Sequence, residues 1–308
     1  MHLSMRRLMA DCPFPPQFRR YRYLDENPLS GNVKNRTLFA PNRPMKRVHA
    51  SIIAYLRSAA PFSPWATGSV PGESTLRNAK RHAANRYFLL YDVKDAYESV
   101  DLEQLLLCLA KYDASLATPD GYLAMHRILE LFCMAPDGGL MTGAPASPDL
   151  FNLYAMELLD RPLGAYCAKH GITYSRYLDD LTFSSLSPIG PRHGRKKRQG
   201  IRQIIEASGM EIHQKKSRGH DLEKTPIEIN GIGIGRGGRL FVPRGFMRRA
   251  RTVLYHGLRY GTASYDLVSG LMGVVLQATP RDHTANKFER KLLNLYCRWR
   301  RMHGKENE

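Results

Sequence analysis

Two adjacent aspartates, Asp179 and Asp180, interrupt a run from Thr173 to Ser184 that otherwise alternates like a β-strand. Successive side chains of a strand point to opposite faces, so one of two neighbouring carboxylates would be driven into the core. A tight bend at Leu178-Asp179 removes that conflict, and the segment is predicted as a hairpin. A second acidic position has the same character. Phe88, Leu89 and Leu90 belong to an apolar strand predicted over Tyr87 to Val93, and this strand finishes near Asp92. A carboxylate there makes sense if something positive meets it, and a divalent cation would. Asp92, Asp179 and Asp180 would then supply three hard oxygen donors, a set suited to Mg²⁺ held together with substrate phosphates. Taken alone, Asp179-Asp180 also fits a polar turn, since Asp is a common turn residue.

Charge is sorted along the chain. The 46 Lys and Arg exceed the 28 Asp and Glu by 18. Residues 1–50 carry a net +7 and residues 190–260 a net +12, whereas 51–189, which holds all three aspartates, is −4. An acidic centre between basic flanks suits a polyanion-binding cleft with a cation-binding floor; surface charge scattered for solubility is the plainer alternative. A hydrophobic fraction of 43% over 308 residues allows a substantial core and excludes collagenous or mainly disordered character. No apolar run approaches the roughly 18 residues of a membrane span, and no hydrophobic stretch follows the basic pair near the N-terminus. A cytoplasmic protein without a membrane partner is therefore expected. The five cysteines form no C-x-x-C pair and read as buried free thiols.

Helices are predicted over Pro44 to Ala59, Leu102 to Tyr112, Gly121 to Phe132 and Arg195 to Ser208. Another starts at Ser147-Pro148, with the serine able to cap it. Ile227 to Ile234 and Leu240 to Val242 read as strands around a Gly-rich turn, Pro188 to Arg198 as a basic loop, and the C-terminal third as helical. A helix from Pro243 puts Arg244, Arg248 and Arg251 on one face, suited to the phosphates of an A-form duplex. The interleaved Phe241, Phe246 and Tyr255 are expected to face a core.

These motifs together resemble those of reverse transcriptases. Asp92 with Tyr97 five residues on is similar to the first palm motif, Gly143-Ala144-Pro145-Ala146-Ser147-Pro148 to the second, and Tyr177-Leu178-Asp179-Asp180 to the Y-x-D-D hairpin. Ile212 to Ser217 resembles the following lysine-bearing motif, Ile229-Asn230-Gly231 the next strand, and Arg36 to Pro41 the fingers motif. Asn78-Ala79-Lys80-Arg81-His82 resembles the N-A-x-x-H element of bacterial retron enzymes, and Arg176 to Ser184 shares their character. Two positions depart from that pattern: Thr142 stands where Gln is usual, and Ile229-Asn230-Gly231 where V-T-G is usual.

The resemblance implies an α/β (α+β) polymerase right hand, with fingers and palm built from antiparallel sheet packed on helices and a helical thumb. The N-terminal region and fingers would occupy 1–86, the palm with inserted elements 87–235, and the thumb 236–308. The segment after Gly231 suffices for a thumb and is too short for an RNase H domain, so another enzyme would remove RNA. The activity implied is RNA-directed DNA polymerisation, with two Mg²⁺ ions held by Asp92, Val93, Asp179 and Asp180. Arg36, Tyr97, Thr142, Gly143 and Lys216 would meet the dNTP, with Tyr97 beneath the sugar and Arg36 on the triphosphate. Plainer roles stand beside these: a core tyrosine, a surface arginine, and a lysine whose register with Lys215 is open. Asn78, His82, Arg244, Arg248 and Arg251 would meet RNA, although His82 equally suits a structural histidine. The partners implied are a cognate structured noncoding RNA, the RNA-DNA duplex, dNTPs and an accessory effector protein in anti-phage defence. Another bacterial defence-associated or group II-like reverse transcriptase, and an inactive RNA-binding scaffold, are the alternatives.

Overall fold

The structure, a computed structural model, describes residues 18–26, 33–189, 194–214, 217–279 and 285–303, with backbone alone at 23–26 and 33–36. Strands β1 (Phe18–Glu26) and β2 (Val33–Pro41) form an antiparallel ribbon. Helix α1 (Arg43–Ala59) follows because Asn42 accepts from the Met45 amide, Pro44 needs no donor in the first turn, and Met45, Val48, Ile52, Tyr55 and Leu56 form one buried stripe. Helix α2 (Thr75–His82) is capped by Ser74, α3 (Leu102–Ala110) by Asp101 and α4 (Pro119–Phe132) by Thr118, with strand β3 (Tyr87–Lys94) between α2 and α3.

Helix α5 (Ser147–Ala155) runs through one wide turn at Met156–Asp160 into α6 (Arg161–Lys169). Pro162 has no N–H to offer Leu158, which accounts for the widening. Ser147 is the first helical residue rather than the expected cap: its hydroxyl donates to the Met141 carbonyl at 2.7 Å and ties the preceding loop to the helix.

Strands β4 (Thr173–Tyr177) and β5 (Asp180–Ser185) make the expected hairpin, and α7 (Arg195–Ala207) is the helix expected over Arg195 to Ser208, so the basic loop ends before Arg195 rather than at Arg198. Beyond it lie β6 (Glu211–Ile212), β7 (Arg218–Asp221), β8 (Ile227–Ile229), β9 (Ile232–Ile234) and β10 (Leu240–Phe241). The run Ile227 to Ile234 is thus two strands, and Ile229-Asn230-Gly231 is not one strand. Asn230 and Gly231 take φ of 46° and 84°, the pair of left-handed residues that closes a two-residue hairpin.

The central sheet is antiparallel, in the order β4-β5-β3, and the far edge of β3 is shared by β7 and β6. Its two faces do different work. Leu89, Tyr91 and Val93, with Tyr174, Leu181 and Phe183, pack on the helices in the largest core. Phe88 is covered on the opposite face by Ala79 of α2 and by Ile227, Ile229, Ile232 and Ile234 of the β8–β9 hairpin. Alternation along β3 then sets Asp92 on this second face, opposite Asp180 in register.

Helices α8 (Arg244–Tyr260), α9 (Tyr265–Ala278) and α10 (Lys287–His303) enclose a separate core that includes Met247, Leu254, Met272, Val275, Leu292 and Trp299. Phe246 packs against that core, but Tyr255 does not: it is 45% exposed, with its hydroxyl accepting from Arg259 at 2.6 Å. Of the described cysteines, Cys108, Cys133 and Cys167 are buried and Cys297 is exposed, contrary to expectation for the last. No helix among the described residues is long and apolar enough to cross a membrane.

Candidate active site

The bend between β4 and β5 consists of Leu178 and Asp179, and Leu178 holds φ of 53°. A left-handed leucine costs about 1–2 kcal/mol, so its surroundings must over-determine it. Arg176 does so from the helix face. Its guanidinium, wholly enclosed, donates to both carboxylate oxygens of buried Asp160 at 2.8 Å, to Asn152 Oδ1 at 2.9 Å and to the Leu178 carbonyl at 3.3 Å. Asp160 also accepts from Ser63 and Tyr174. From the other side Gly68 presses on the bend. A Cβ there would lie 2.8 Å from the Leu178 backbone nitrogen, and the Gly68 carbonyl is held by Asn152 Nδ2 at 3.0 Å. Neither Arg176 nor Asp160 stood out in the sequence, although an arginine inside a strand-like run just before two acids is a signal for a buried counter-charge.

The Val93 amide donates to the Asp179 carbonyl at 2.9 Å, which fixes the bend beside β3. Asp92 and Asp179 line one open cavity of about 520 Å³ together with Val93, Tyr97, Thr142 and, as a roof from β2, Thr37 and Phe39. Asp95, Glu98 and Asp137 add further carboxylates, and Lys94 at the rim is paired with Glu211 at 3.0 Å. So acidic a cavity favours divalent cations and admits a polyphosphate only alongside them. The Tyr97 ring meets Phe151 edge-on at 5.5 Å; burial, and next the charge of Asp179, push its hydroxyl up to about 12, so it is neutral at physiological pH. Thr142 Oγ1 donates to Glu98 at 3.4 Å, and its carbonyl accepts from Phe39 at 2.8 Å. Gly143 takes φ of 93° beside the Phe39 carbonyl, a conformation that favours glycine.

Asp180 shares a second cavity with Asp92, Asn230 and Gly231. The three carboxylates therefore meet in pairs through Asp92 rather than as one ready triad: among the described residues no group of three His, Cys, Asp or Glu is disposed to hold a metal ion. The donor set itself fits a hard cation, with Asp92 common to both sides. Val93 has a buried side chain and would contribute only a backbone oxygen.

Asn78 and His82 do not face an RNA surface as expected. Both are fully buried between α2 and the sheet, because their polar groups are needed to satisfy one another's neighbours. His82 lies 2.7 Å from the hydroxyls of both Ser175 and Ser184, and burial, with the charge of Arg81, holds it down to about 3. Asn78 accepts from Ser175 at 2.5 Å and donates to Asn230 at 2.8 Å, and Asn230 donates to Asp180 at 2.8 Å. Asn230 was missed as a site residue, although Asn-Gly between isoleucines is a strong hairpin signal. Arg244, Arg248 and Arg251 are exposed along α8 while Met247, Ala250 and Leu254 turn inward. The Arg36 side chain and Lys216 lie outside the described residues.

The family described as reverse transcriptase (RNA-dependent DNA polymerase) matches residues 30–234. The chain is 32% identical over 222 residues to the retron Mx65 reverse transcriptase of Myxococcus xanthus, covering 67% of this chain and 51% of that protein. It is 28% identical over 215 residues to the retron Ec83 reverse transcriptase of Escherichia coli, covering 65% and 67%. With the retron Ec86 reverse transcriptase of Escherichia coli it shares 23% over 287 residues, covering 93% and 83%. The chain thus spans about half the length of the first of these and more of the others. Among solved structures, Candida albicans telomerase with a telomeric RNA fragment superposes with a TM-score of 0.52 at 11% identity, covering 98% of this chain and 58% of that one. Apo telomerase from Candida tropicalis gives 0.52 at 9%, covering 93% and 59%. Those two likenesses show a polymerase right-hand fold.

Proposed function

The chain belongs to the reverse transcriptase family, and we propose that it is a retron-type enzyme that copies a cognate structured noncoding RNA into single-stranded DNA. The observation that carries this reading is the acidic cavity bounded by Asp92 and Asp179, with Tyr97 on its wall and β2 over it. Magnesium ions, when bound there, would supply charge neutralisation for a primer hydroxyl attacking the dNTP α-phosphate and for the departing pyrophosphate. The chain's own residues position these partners. Asp92, Asp179 and Asp180 hold the cations, and a Val93 backbone oxygen completes the donor set. The neutral Tyr97 ring packs under the sugar and excludes a 2′-hydroxyl. Thr142 and Gly143 bring backbone close to the nucleotide, and Arg36 and Lys216 serve the triphosphate. Arg244, Arg248 and Arg251 follow the phosphates of the RNA-DNA duplex.

In this reading residues 1–86 form the N-terminal region and fingers, 87–235 the palm and 236–308 the thumb. Support for the retron assignment comes from the relatives' names and from the N-A-x-x-H element. Anti-phage defence with an accessory effector, in the cytoplasm, belongs to the same proposal. The test is primer extension by the purified chain on a primed RNA template with Mg²⁺ and dNTPs, followed by sequencing of DNA that copurifies with it. Extension, together with one short DNA joined to one structured RNA, is expected. Extension with heterogeneous DNA would favour another bacterial reverse transcriptase, and no extension an RNA-binding scaffold.

A further inference from the structure

Resting on that reading, we propose that Asn230, itself oriented by Asn78, is a positioning residue that sets the Asp180 carboxylate for a divalent cation. The direction of every bond in the network follows from its carboxylate end. An ionised carboxylate only accepts, so Asn230 must turn its amide N–H to Asp180 Oδ2 and its oxygen to Asn78. Asn78 must then present its N–H to Asn230 and its oxygen to Ser175. The single Ser175 proton goes to Asn78, so Ser175 Oγ accepts from His82 Nε2–H. His82 Nδ1, lacking a proton in the neutral ring, accepts from Ser184, whose oxygen accepts from Asn85 Nδ2 at 2.8 Å. Six donors point one way and end on one carboxylate oxygen. Each bond polarises the next, and none can reverse without setting acceptor against acceptor.

The network is framed by regular secondary structure. Ser175, Ser184 and Asp180 lie on the same face of the β4–β5 hairpin, by strand alternation; α2 buries the two serines, and Asp180 is left facing the cavity it shares with Asp92. Asn230 suits its place because asparagine tolerates φ of 46°, and Ile229 and Ile232 beside it are buried against the sheet. With Oδ2 held from there, the rotation of the Asp180 carboxylate about its own axis is set, and so is the direction of its other oxygen. Asp92 stands directly across the strand pair.

The experiment is a Mn²⁺ titration, read by the electron paramagnetic resonance of the free ion. It uses the full chain bound to a primed RNA template whose primer lacks a 3′-hydroxyl, with dNTP present. Asn230→Gly keeps the backbone conformation and removes the amide. Its Mn²⁺ dissociation constant is expected to rise about 10-fold or more, with template affinity and melting temperature near those of the parent. Asn78→Ser, which leaves the turn intact, should raise it in the same direction, and add nothing in the Asn230→Gly background. Parental Mn²⁺ affinity in Asn230→Gly overturns the inference, as does parental affinity in Asn78→Ser should Asn230→Gly fail to fold. Loss of melting temperature with unchanged Mn²⁺ affinity marks the network as structural only and also overturns it. If the parent chain extends a primer in these cases, the inference alone has failed; if the parent never does, the functional reading beneath it has.

Discussion

Replacing Arg176 with methionine isolates what holds the strained bend at Leu178. Arg176 and Asp160 are both fully enclosed and joined by two 2.8 Å hydrogen bonds. Removing one partner of such a pair strands a buried charge, at about 3–5 kcal/mol. Asp160 would retain the hydroxyls of Ser63 at 2.6 Å and Tyr174 at 2.7 Å, which puts the loss near the lower end, about 3 kcal/mol. At about 2 °C per kcal/mol for a chain of this size, the melting temperature should fall by about 6 °C. The double variant Arg176→Met, Asp160→Leu removes both charges but leaves the buried Ser63 and Tyr174 hydroxyls without that acceptor, so it should recover only part of that stability. It does not restore the donor to the Leu178 carbonyl, so dNTP incorporation should stay down by about 10-fold or more. Paired thermal melts and single-turnover primer extension measure the two effects separately. A single variant that loses less than about 1 kcal/mol, or a double variant that regains activity along with stability, refutes the reasoning.

Gly68→Ala introduces a Cβ 2.8 Å from the Leu178 nitrogen, and the shifted bend should lower primer extension by up to about 10²-fold with little change in template affinity. Acid should destabilise the chain through two histidines held below their usual range by burial, His49 at about 4 and His82 at about 3. Below pH 6.5 the unfolded chain binds protons that the folded one refuses, so each costs about 2 kcal/mol of stability by pH 5. Stability is fully restored above pH 6.5. Both ring nitrogens of His49 lack a hydrogen-bond partner among the described residues, so His49→Leu should remove about half of that acid loss in urea titrations without lowering stability at pH 7; an unchanged acid slope would contradict this. Arg244→Ala and Arg248→Ala should each flatten the salt dependence of RNA-duplex binding by about one unit of log–log slope, and unaltered slopes would remove α8 from the interface.

The parts of the fold that could be read from residues alone are those governed by short-range rules. The bend at Leu178-Asp179 followed from two acids in an alternating run, and β3 and α1 from apolar periodicity. What could not be read depends on long-range partners. Asn78 and Asn230 are 152 residues apart and Arg176 reaches Asp160 across a helix, so the local signals, a buried charge at Arg176 and a turn at Asn230, do not name the partners. Apolar content alone likewise joins β8 and β9 into one run, because Ile227, Ile229, Ile232 and Ile234 flank the turn closely and only Asn230-Gly231 marks it. Ser147 was misassigned for a similar reason, since capping is a local rule and its hydroxyl answers a carbonyl six residues back.

In the proposed function Asp92, Asp179 and Asp180 together hold the cations that extend DNA. Anomalous diffraction from Mn²⁺ in a crystal of the chain with primed RNA template and dNTP tests it directly. The expected result is manganese within bonding distance, about 2.0–2.2 Å, of carboxylate oxygens from Asp92 and Asp179, with Asp180 turned to the same centre. Manganese bound elsewhere with the template seated in the cleft, or none at these carboxylates, would contradict it.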